Sequence, residues 1–150
     1  MKRFGKDFWV TLLIKQNRWH KHNVLVHTLK VAYHLARKGR WDMVAAGLLH
    51  DIAKPLSAYQ DERDIAGGEG ERSFTNHEAM GYYLIKDWKF ISTKTKDIVR
   101  YHYLIRGMHK AKKRGQMNKY NRQKKLWNGL TNEMKADLGV FLACDDLGKK

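Results

Sequence analysis

One stretch decides how this chain is interpreted: Leu48-Leu49-His50-Asp51-Ile52-Ala53-Lys54-Pro55. An apolar run typical of a buried helix ends there in an adjacent histidine and carboxylate, followed by a lysine and the only proline of the sequence. Burying a histidine and a carboxylate costs free energy unless a partner satisfies them. A divalent metal would satisfy both, since neutral imidazole and carboxylate are ordinary metal ligands. The alternative is a helix C-terminus with a solvent-facing His-Asp pair and a proline stop.

Length and composition indicate one domain spanning residues 1–150 with an all-α fold. A chain of 150 residues can bury a real core. A single proline and many Leu, Ala, Lys and Met residues favour helices, and we expect a bundle of about six to seven of them. The lone Cys144 excludes an internal disulfide and a cysteine-based zinc site, and it fits a reducing cytosol. No signal peptide or membrane-length apolar run is recognisable, so we expect a cytoplasmic protein without a membrane partner.

The positive charge is large and unevenly distributed. The formal net charge is +15, and no acidic residue occurs between Ile98 and Asn132. The basic segment 106–125 lies within that range, whereas residues 59–73 form an acidic, glycine-rich stretch that we expect to be a loop, acting either as a lid or as a solvated connection. The positive electrostatic potential of such a chain attracts nucleic acids, nucleotides or other polyanions. The alternative is a solvated face without a partner.

Helical periodicity divides the chain into successive predicted helices. On the second of them Leu25 and Leu29 are expected to face the core, and on the fourth Tyr83 is expected to do so. The segment 107–121 is predicted to be a loop or a weak helix, and no strand is predicted. The predicted helices cover residues 8–18, 23–38, 41–53, a stretch that begins at Thr75 or Asn76, 94–106, 122–130, and a last stretch that begins near Thr131.

Candidate ligands occur on several of these helices, each among apolar neighbours. Separately, each histidine is more often a hydrogen-bonded core or boundary residue than a ligand. Jointly, imidazoles and carboxylates on successive helices are what a metal in the core of a helical bundle requires. The candidates are His27, His50, Asp51, His77, His102 and one of Asp145 or Asp146.

The order of these residues resembles the HD superfamily of metal-dependent phosphohydrolases, in which a His, a His-Asp pair and a distant Asp follow one another. Here these are His27 in Asn23-Val24-Leu25-Val26-His27, the pair His50-Asp51, and Asp145 in Asp145-Asp146-Leu147-Gly148. The segments His77-Glu78-Ala79-Met80-Gly81 and Val99-Arg100-Tyr101-His102 also look like family elements. Their style is similar to the HD domain of bacterial CCA-adding enzymes, and the likeness covers about residues 23–149.

The resemblance implies an HD-type helical bundle around a divalent metal held by His27, His50, Asp51 and Asp145. In members with extra histidines these help to bind a second metal, and His77 and His102 occupy those positions, so the resemblance leaves one or two metals open. With two metals, Asp51 would be the bridging ligand. Asp145 is preferred to Asp146 because of its spacing to Gly148. Nitrogen and oxygen ligands leave Mn, Mg, Fe, Ni, Co and Zn open.

The implied activity is hydrolysis of a phosphate ester: of a nucleotide, or of a terminal or 2′,3′-cyclic phosphate of a nucleic acid. Lys54 would contact the phosphate, or else it is a cation at a helix end. Glu78 would orient a ligand or move a proton, or else it is only a first-turn acid. Candidate substrate contacts are Arg100, Arg106, Lys112, Lys113 and Asp146. The alternative function is a nucleic-acid-binding protein with a structural or inactive HD-like core.

Overall fold

The computed structural model describes residues 22–59, 73, 74 and 76–150, and it confirms the predicted all-α bundle. The predicted helix at residues 8–18 and most of the acidic loop lie outside these residues. Within the described ranges no helix is long and apolar enough to cross a membrane. The helices are α1 (Val24–Arg37), a 3-10 turn (Trp41–Met43), α2 (Val44–Leu49), α3 (Lys54–Ser57), α4 (His77–Ile85), α5 (Thr93–Tyr101), α6 (Leu104–Lys113), α7 (Met117–Asn128) and α8 (Asn132–Gly148).

A short pair of strands departs from the prediction. β1 (Ala58–Tyr59) runs antiparallel to β2 (Ser73–Phe74), with Ala58 opposite Phe74. Strands of two residues are too short to show alternation of polar and apolar side chains, which explains why the sequence did not reveal them.

Side-chain caps fix three helix starts. The side chains of Asn23, Ser92 and Thr131 accept hydrogen bonds from the backbone N–H groups three residues on, at 2.9, 3.2 and 3.1 Å. Asn76 precedes α4 but makes no side-chain cap hydrogen bond, and its φ of 56° lies in the left-handed region that asparagine tolerates. The predicted start of α4 was therefore right at Asn76, whereas the capping hydrogen bond was absent there.

The buried face of α1 differs from the predicted one. Leu25 and Leu29 are 38% and 52% exposed, so their predicted inward orientation was wrong. Leu35, which was also on the predicted face, is buried as expected, and it shares its face with His27 and Val31 because these residues are spaced by four. The error arose because a histidine was not counted as part of an inward face. On α4 the same error placed Tyr83 in the core, although it is 67% exposed and His77 is buried.

The predicted third helix, residues 41–53, is broken. It begins as the 3-10 turn, continues as α2 to Leu49, and gives way to turns before α3 starts at Lys54. Pro55 does not stop a helix, because it is the second residue of α3, where its missing N–H is not needed. The early end of α2 places His50 and Asp51 at a turn in the interior of the bundle.

The predicted fifth helix, residues 94–106, is also broken, since α5 ends at Tyr101 and α6 starts at Leu104. The segment 107–121, predicted to be a loop or a weak helix, is largely helical: α6 and α7 form a helical hairpin joined by residues 114–116, with Gly115 at φ +66°. Arginine, lysine and glutamine have high helix propensity, which helps explain why α7 is helical although it lacks a buried face. The two helices cross closely at Gly107, where a Cβ would lie 2.5 Å from Gln123 Nε2. α7 packs against α6, and none of its residues is buried.

The hydrophobic core lies where α1, α2, α5 and α8 pack together. The core residues are Val31, Leu35, Met43, Ala46, Ile98, Phe141 and Cys144. Gly47 lets α2 approach α1, because a Cβ there would lie 3.0 Å from the backbone of Ala32. This tight contact brings the end of α2 against the buried face of α1 that carries His27.

Candidate metal centre

Six polar side chains from separate elements meet beside the core. His27 is on α1, His50 and Asp51 follow α2, and the first residue of α4, the residue after α5 and the C-terminal part of α8 supply the others. Each is between 1% and 9% exposed. The six residues are His27, His50, Asp51, His77, His102 and Asp145, and we call them the histidine–aspartate cluster.

The first half of the cluster joins His27, His50, Asp51 and Asp145. The Nε2 atoms of His27 and His50 lie 3.3 Å apart. Asp51 Oδ2 lies 3.2 Å from His50 Nε2 and 3.5 Å from His27 Nε2. Asp145 Oδ1 lies 3.0 Å from His27 Nε2 and 3.7 Å from His50 Nε2. Four potential ligand atoms from three parts of the chain therefore surround one point.

The second half joins Asp51, His77 and His102. Asp51 Oδ1 lies 3.4 Å from His77 Nε2, which in turn lies 3.2 Å from His102 Nε2. The two oxygens of one carboxylate thus face different histidine pairs, Oδ2 toward His27 and His50 and Oδ1 toward His77. This is the arrangement that a carboxylate bridging two cations would need.

The orientation of the rings fits metal ligation. His50 Nδ1 donates to the backbone carbonyl of Gly47 at 2.8 Å, and His102 Nδ1 donates to that of Val99 at 2.8 Å. A carbonyl oxygen only accepts, so in each ring Nδ1 carries the hydrogen and a neutral ring has its lone pair on Nε2. Metal-binding histidines are usually held in this way by a hydrogen bond at the other nitrogen.

The spacing of the ligand atoms fits a divalent cation as well. Bonds of about 2.1 Å place neighbouring ligands roughly 3.0 Å apart in octahedral and 3.4 Å apart in tetrahedral coordination. The separations within the cluster run from 3.0 to 3.7 Å. The three atoms of His27, His50 and Asp51, and likewise those of Asp51, His77 and His102, lie within 4.8 Å of one another.

The protonation of the cluster is set by burial and by its own charges. Burial lowers the pKa of His50, but Asp51 and Asp145 raise it further, to about 9. Burial raises the pKa of Asp51, but His50 and Lys54 outweigh it and hold that pKa well below its usual range. Burial, together with charge at His50 and His77, lowers the pKa of His102 to about 3. At neutral pH the cluster therefore combines ionised carboxylates, a proton on His50 and a neutral His102.

A family model describes most of this arrangement: the model of the HD domain family matches residues 24–137, well over half of the chain. This chain belongs to the HD domain family. HD domains are, in general, metal-dependent phosphohydrolases, and the cluster supplies groups that can hold a divalent metal. No curated protein and no solved structure matches the chain. The match ends before Asp145. The inclusion of Asp145 in the cluster therefore rests on its distance from His27 and not on the family match.

Two predicted catalytic residues of the HD domain lie against the cluster. Lys54 is 6% exposed, and its Nζ lies 2.6 Å from Asp51 Oδ2. Lys54 is the first residue of the one-turn helix α3, five residues after the end of α2 at Leu49. Glu78 Oε2 lies 3.4 Å from His77 Nδ1, where it can orient that ring.

Arg106 and Asp146 lie at the edge of the cluster. Arg106 donates to Asp145 Oδ2 at 2.9 Å and to Asp146 Oδ1 at 2.8 Å. Lys149, which sequence reasoning missed, contacts the same two carboxylates at 2.9 and 3.0 Å. Its position four residues after Asp145 on one helix face was the available signal. Asp146 is half exposed and ion-paired, so it does not join the cluster itself.

Three other predicted substrate contacts are not brought to the cluster. Arg100 places its guanidinium over the rings of Tyr82 and Tyr101, at 4.8 and 5.2 Å. Lys112 and Lys113 are exposed near the C-terminal end of α6, about 9 Å along the helix axis from Arg106.

Two further residues, Phe141 and Gly148, lie next to histidines of the histidine–aspartate cluster. The ring of Phe141 packs edge-on against His50 at 5.3 Å and lies 6.1 Å from His102, which links the core to the cluster. Gly148 gives the ring of His27 its space, because a Cβ there would lie 3.2 Å from His27 Nδ1 and 2.7 Å from Val31 Cγ2. The Asp-x-x-Gly spacing pointed to Gly148, but only the packing explains why a side chain is excluded there.

Proposed function

We propose that this protein is a metal-dependent phosphohydrolase that acts on a nucleotide, or on a terminal or 2′,3′-cyclic phosphate of a nucleic acid. The observation that carries the proposal is the position of Asp51, whose two buried carboxylate oxygens face two separate histidine pairs. Burying carboxylates and imidazoles together costs free energy, which Lys54, Arg106 and Lys149 offset in part and bound divalent cations would offset further.

Each half of the cluster would hold one cation. His27, His50, Asp51 and Asp145 would hold the first, and Asp51, His77 and His102 the second. A divalent cation bound there lowers the pKa of a water molecule and polarises a phosphoryl oxygen.

Neighbouring side chains supply the remaining chemistry. Lys54 Nζ, next to Asp51, is placed to neutralise charge that develops on the phosphate oxygens. Glu78 Oε2 lies 3.4 Å from His77 Nδ1, and in the proposed enzyme it would orient that ring or move a proton. Arg106 is partly exposed, and a guanidinium can exchange its bond to Asp146 for a bidentate contact with phosphate.

The substrate class follows from charge. The acid-free range between Ile98 and Asn132 contains α6, which begins beside the cluster, and α7, which runs back along α6 in the hairpin. Tyr120 and Trp127 occur among the cations of α7, and Lys124 lies 5.8 Å from the centre of the Tyr120 ring. Cations with interspersed aromatic rings suit a nucleotide or nucleic acid better than a small neutral phosphate ester.

The test is hydrolysis with Mn²⁺ or Mg²⁺ of p-nitrophenyl phosphate, its bis ester, 2′,3′-cyclic nucleotides and deoxynucleoside triphosphates. We expect turnover of at least one, and its loss together with metal content in His50→Ala/Asp51→Ala. The control His109→Ala/Asp87→Ala replaces the same residue types at exposed positions and should retain both. No turnover by the unsubstituted protein, combined with unchanged metal content in the His50/Asp51 variant, would refute the proposal.

The alternative function, nucleic-acid binding around a structural core, is favoured by α7, which is basic and has no buried residue. That function predicts binding of RNA or DNA that survives His50→Ala/Asp51→Ala. It also predicts loss of binding when Lys112, Lys113 and Arg114 are neutralised, without any hydrolysis by the unsubstituted protein.

A further inference from the structure

An open groove of about 580 Å³ lies between the end of α5 and the C-terminal half of α7. Its volume falls in the range of sites for small organic ligands. None of its residues belongs to the histidine–aspartate cluster or to the proposed substrate contacts. The lining residues are Tyr101, Arg122, Lys125, Leu126, Gly129 and Leu130.

The lining combines three kinds of group. Tyr101 offers an aromatic ring, Arg122 and Lys125 offer exposed cations, and Leu126, 48% exposed, presents an apolar surface at the same place. No carboxylate lines the groove, which lies within the acid-free part of the chain. A ligand that fits this lining has a flat apolar body and adjoining negative charge.

The groove and the cluster share one piece of backbone. Tyr101 is the last residue of α5, and His102 follows it directly, so their Cα atoms lie about 3.8 Å apart. His102 is buried in the cluster, whereas Tyr101 lines the groove. The groove and the second half of the cluster therefore adjoin each other at one backbone step of the chain.

We propose that this groove binds one base of a single-stranded nucleic acid, with Tyr101 as the stacking surface and Arg122 and Lys125 as contacts for the flanking phosphates. Stacking on an aromatic ring combined with cations along the backbone is how proteins hold single strands without reading their sequence. The binding itself does not require catalysis. The further statement, that the bound strand presents its terminal phosphate to the cluster, rests on the proposed function.

An acidic peptide fits the groove less well. It would pair with Arg122 and Lys125, but carboxylate side chains have no flat apolar face for the ring of Tyr101 or for Leu126. A nucleotide uses all three kinds of group, since each base has a π-face beside its phosphate.

The first test is the binding of a fluorescently labelled decamer of deoxythymidine with hydroxyl groups at both ends, measured by anisotropy at fixed salt. We expect Arg122→Ala/Lys125→Ala to weaken binding at least tenfold. Arg37→Ala/Lys38→Ala removes an arginine and a lysine from exposed positions at the end of α1, outside the groove and the acid-free range, and we expect a loss below threefold. Equal losses in the two variants, or no binding by the unsubstituted protein, would overturn the proposal.

The second test separates stacking from charge. Tyr101→Leu should weaken binding of the same decamer about tenfold without changing the slope of log Kd against log salt concentration, because no cation is lost. Circular dichroism checks that the variant is folded. A polyglutamate peptide that displaces the decamer at the same charge concentration would show a surface for any polyanion and would overturn the assignment to nucleic acid.

The third test separates the groove from the hydrolase. In Arg122→Ala/Lys125→Ala we expect unchanged hydrolysis of p-nitrophenyl phosphate and a KM at least tenfold higher for a decamer with a terminal phosphate. Equal KM values in the variant and the unsubstituted protein would refute the delivery of a strand end to the cluster. If the unsubstituted protein hydrolyses nothing while the binding results hold, the groove stands and the proposed function fails.

Discussion

Two regions of this molecule bury a carboxylate next to α8, and they neutralise it in different ways. Asp137 is 4% exposed, and Arg40 and Lys94 contact it at 2.6 and 2.9 Å. Arg40 also donates to both oxygens of Asp42, at 3.0 and 2.9 Å. Asp51 is 1% exposed, and apart from Lys54 its partners at the cluster are histidines.

The difference lies in whether the positive charge can be exchanged. Hydrogen bonds from Arg40 and Lys94 lower the pKa of Asp137 despite its burial, and the pKa of each cation is raised in return. Those partners keep their charge at every physiological pH, so the region ties the 3-10 turn, α5 and α8 together. The charge on His50 is a proton, which a divalent cation can replace. Lys54, Arg106 and Lys149 also contact the carboxylates of the cluster, but part of its positive charge is the exchangeable proton of His50. The buried carboxylate of Asp137 has an arginine and a lysine as its partners, and we interpret that region as structural.

The largest expected effect comes from removing one carboxylate charge in each region. Asp51→Asn should lower kcat/KM by about a thousandfold or more and lower the metal content, because the shared oxygen ligands lose their charge. Asp137→Asn should leave kcat/KM within about threefold, since distant sites act independently. Steady-state kinetics and elemental analysis measure both. Similar losses of activity in the two variants would contradict the division of roles.

The next effect is the pH dependence of metal binding. With the pKa of His50 at about 9, a cation that binds below that pH must displace one proton. Affinity for Mn²⁺ should therefore rise about tenfold for each pH unit between 6 and 8, and one proton should be released per cation bound there. Calorimetry in buffers of different ionisation enthalpy measures that release. Affinity independent of pH over this range would show that His50 is not a ligand.

A smaller effect is expected from the space beside His27. Gly148→Ala places a Cβ against Val31 and the ring of His27, so metal affinity should fall about tenfold, as is usual when a ligand loses its support. Gly139→Ala is the matched control on the same helix, because nothing lies within 4 Å of a Cβ there. The control should keep its metal affinity and gain up to about 1 kcal/mol of stability. Equal metal affinity in the two variants would show that the absence of a side chain at position 148 is not needed to position His27.

The smallest effect concerns stability in acid. The folded pKa of Asp137 is lowered, so its contribution is fully present above its ordinary pKa and is lost as the pH falls through the folded value. The free energy of unfolding of the parent protein should exceed that of Asp137→Asn by about 1–2 kcal/mol at pH 7, and by less below pH 4. Urea unfolding at each pH measures the difference. A difference that does not change with pH would show that the charge of Asp137 contributes nothing.

The ligand candidates could be predicted because their chemistry is readable without coordinates. Histidines and carboxylates among apolar residues are costly unless they share a partner, and their order along the chain matched a known family. His27, His50, Asp51, His77, His102 and Asp145 are brought together in the structure, although their role as ligands remains a prediction.

Other features depend on packing that the sequence does not state. The apolar periodicity predicted that Leu25 faces the core and did not include His27 in the buried face. The predicted buried face of α1 was therefore wrong at these two residues. The break between α5 and α6 has no proline or glycine to mark it. Arg100 was assigned to phosphate from its charge alone, whereas its guanidinium lies over two tyrosine rings. The spacing of Lys149 to Asp145 can be found in the sequence, but the contact between the two side chains is established only by the structure.

The most direct test of the central claim is anomalous scattering from crystals of the Mn²⁺-loaded protein, recorded alongside Asp51→Asn. We expect two peaks in the parent protein, one among His27, His50 and Asp145 and one between His77 and His102, with an oxygen of Asp51 facing each. We expect both peaks to weaken or vanish in Asp51→Asn. Manganese bound at other residues, or two peaks undiminished in the variant, would contradict a metal site shared through Asp51.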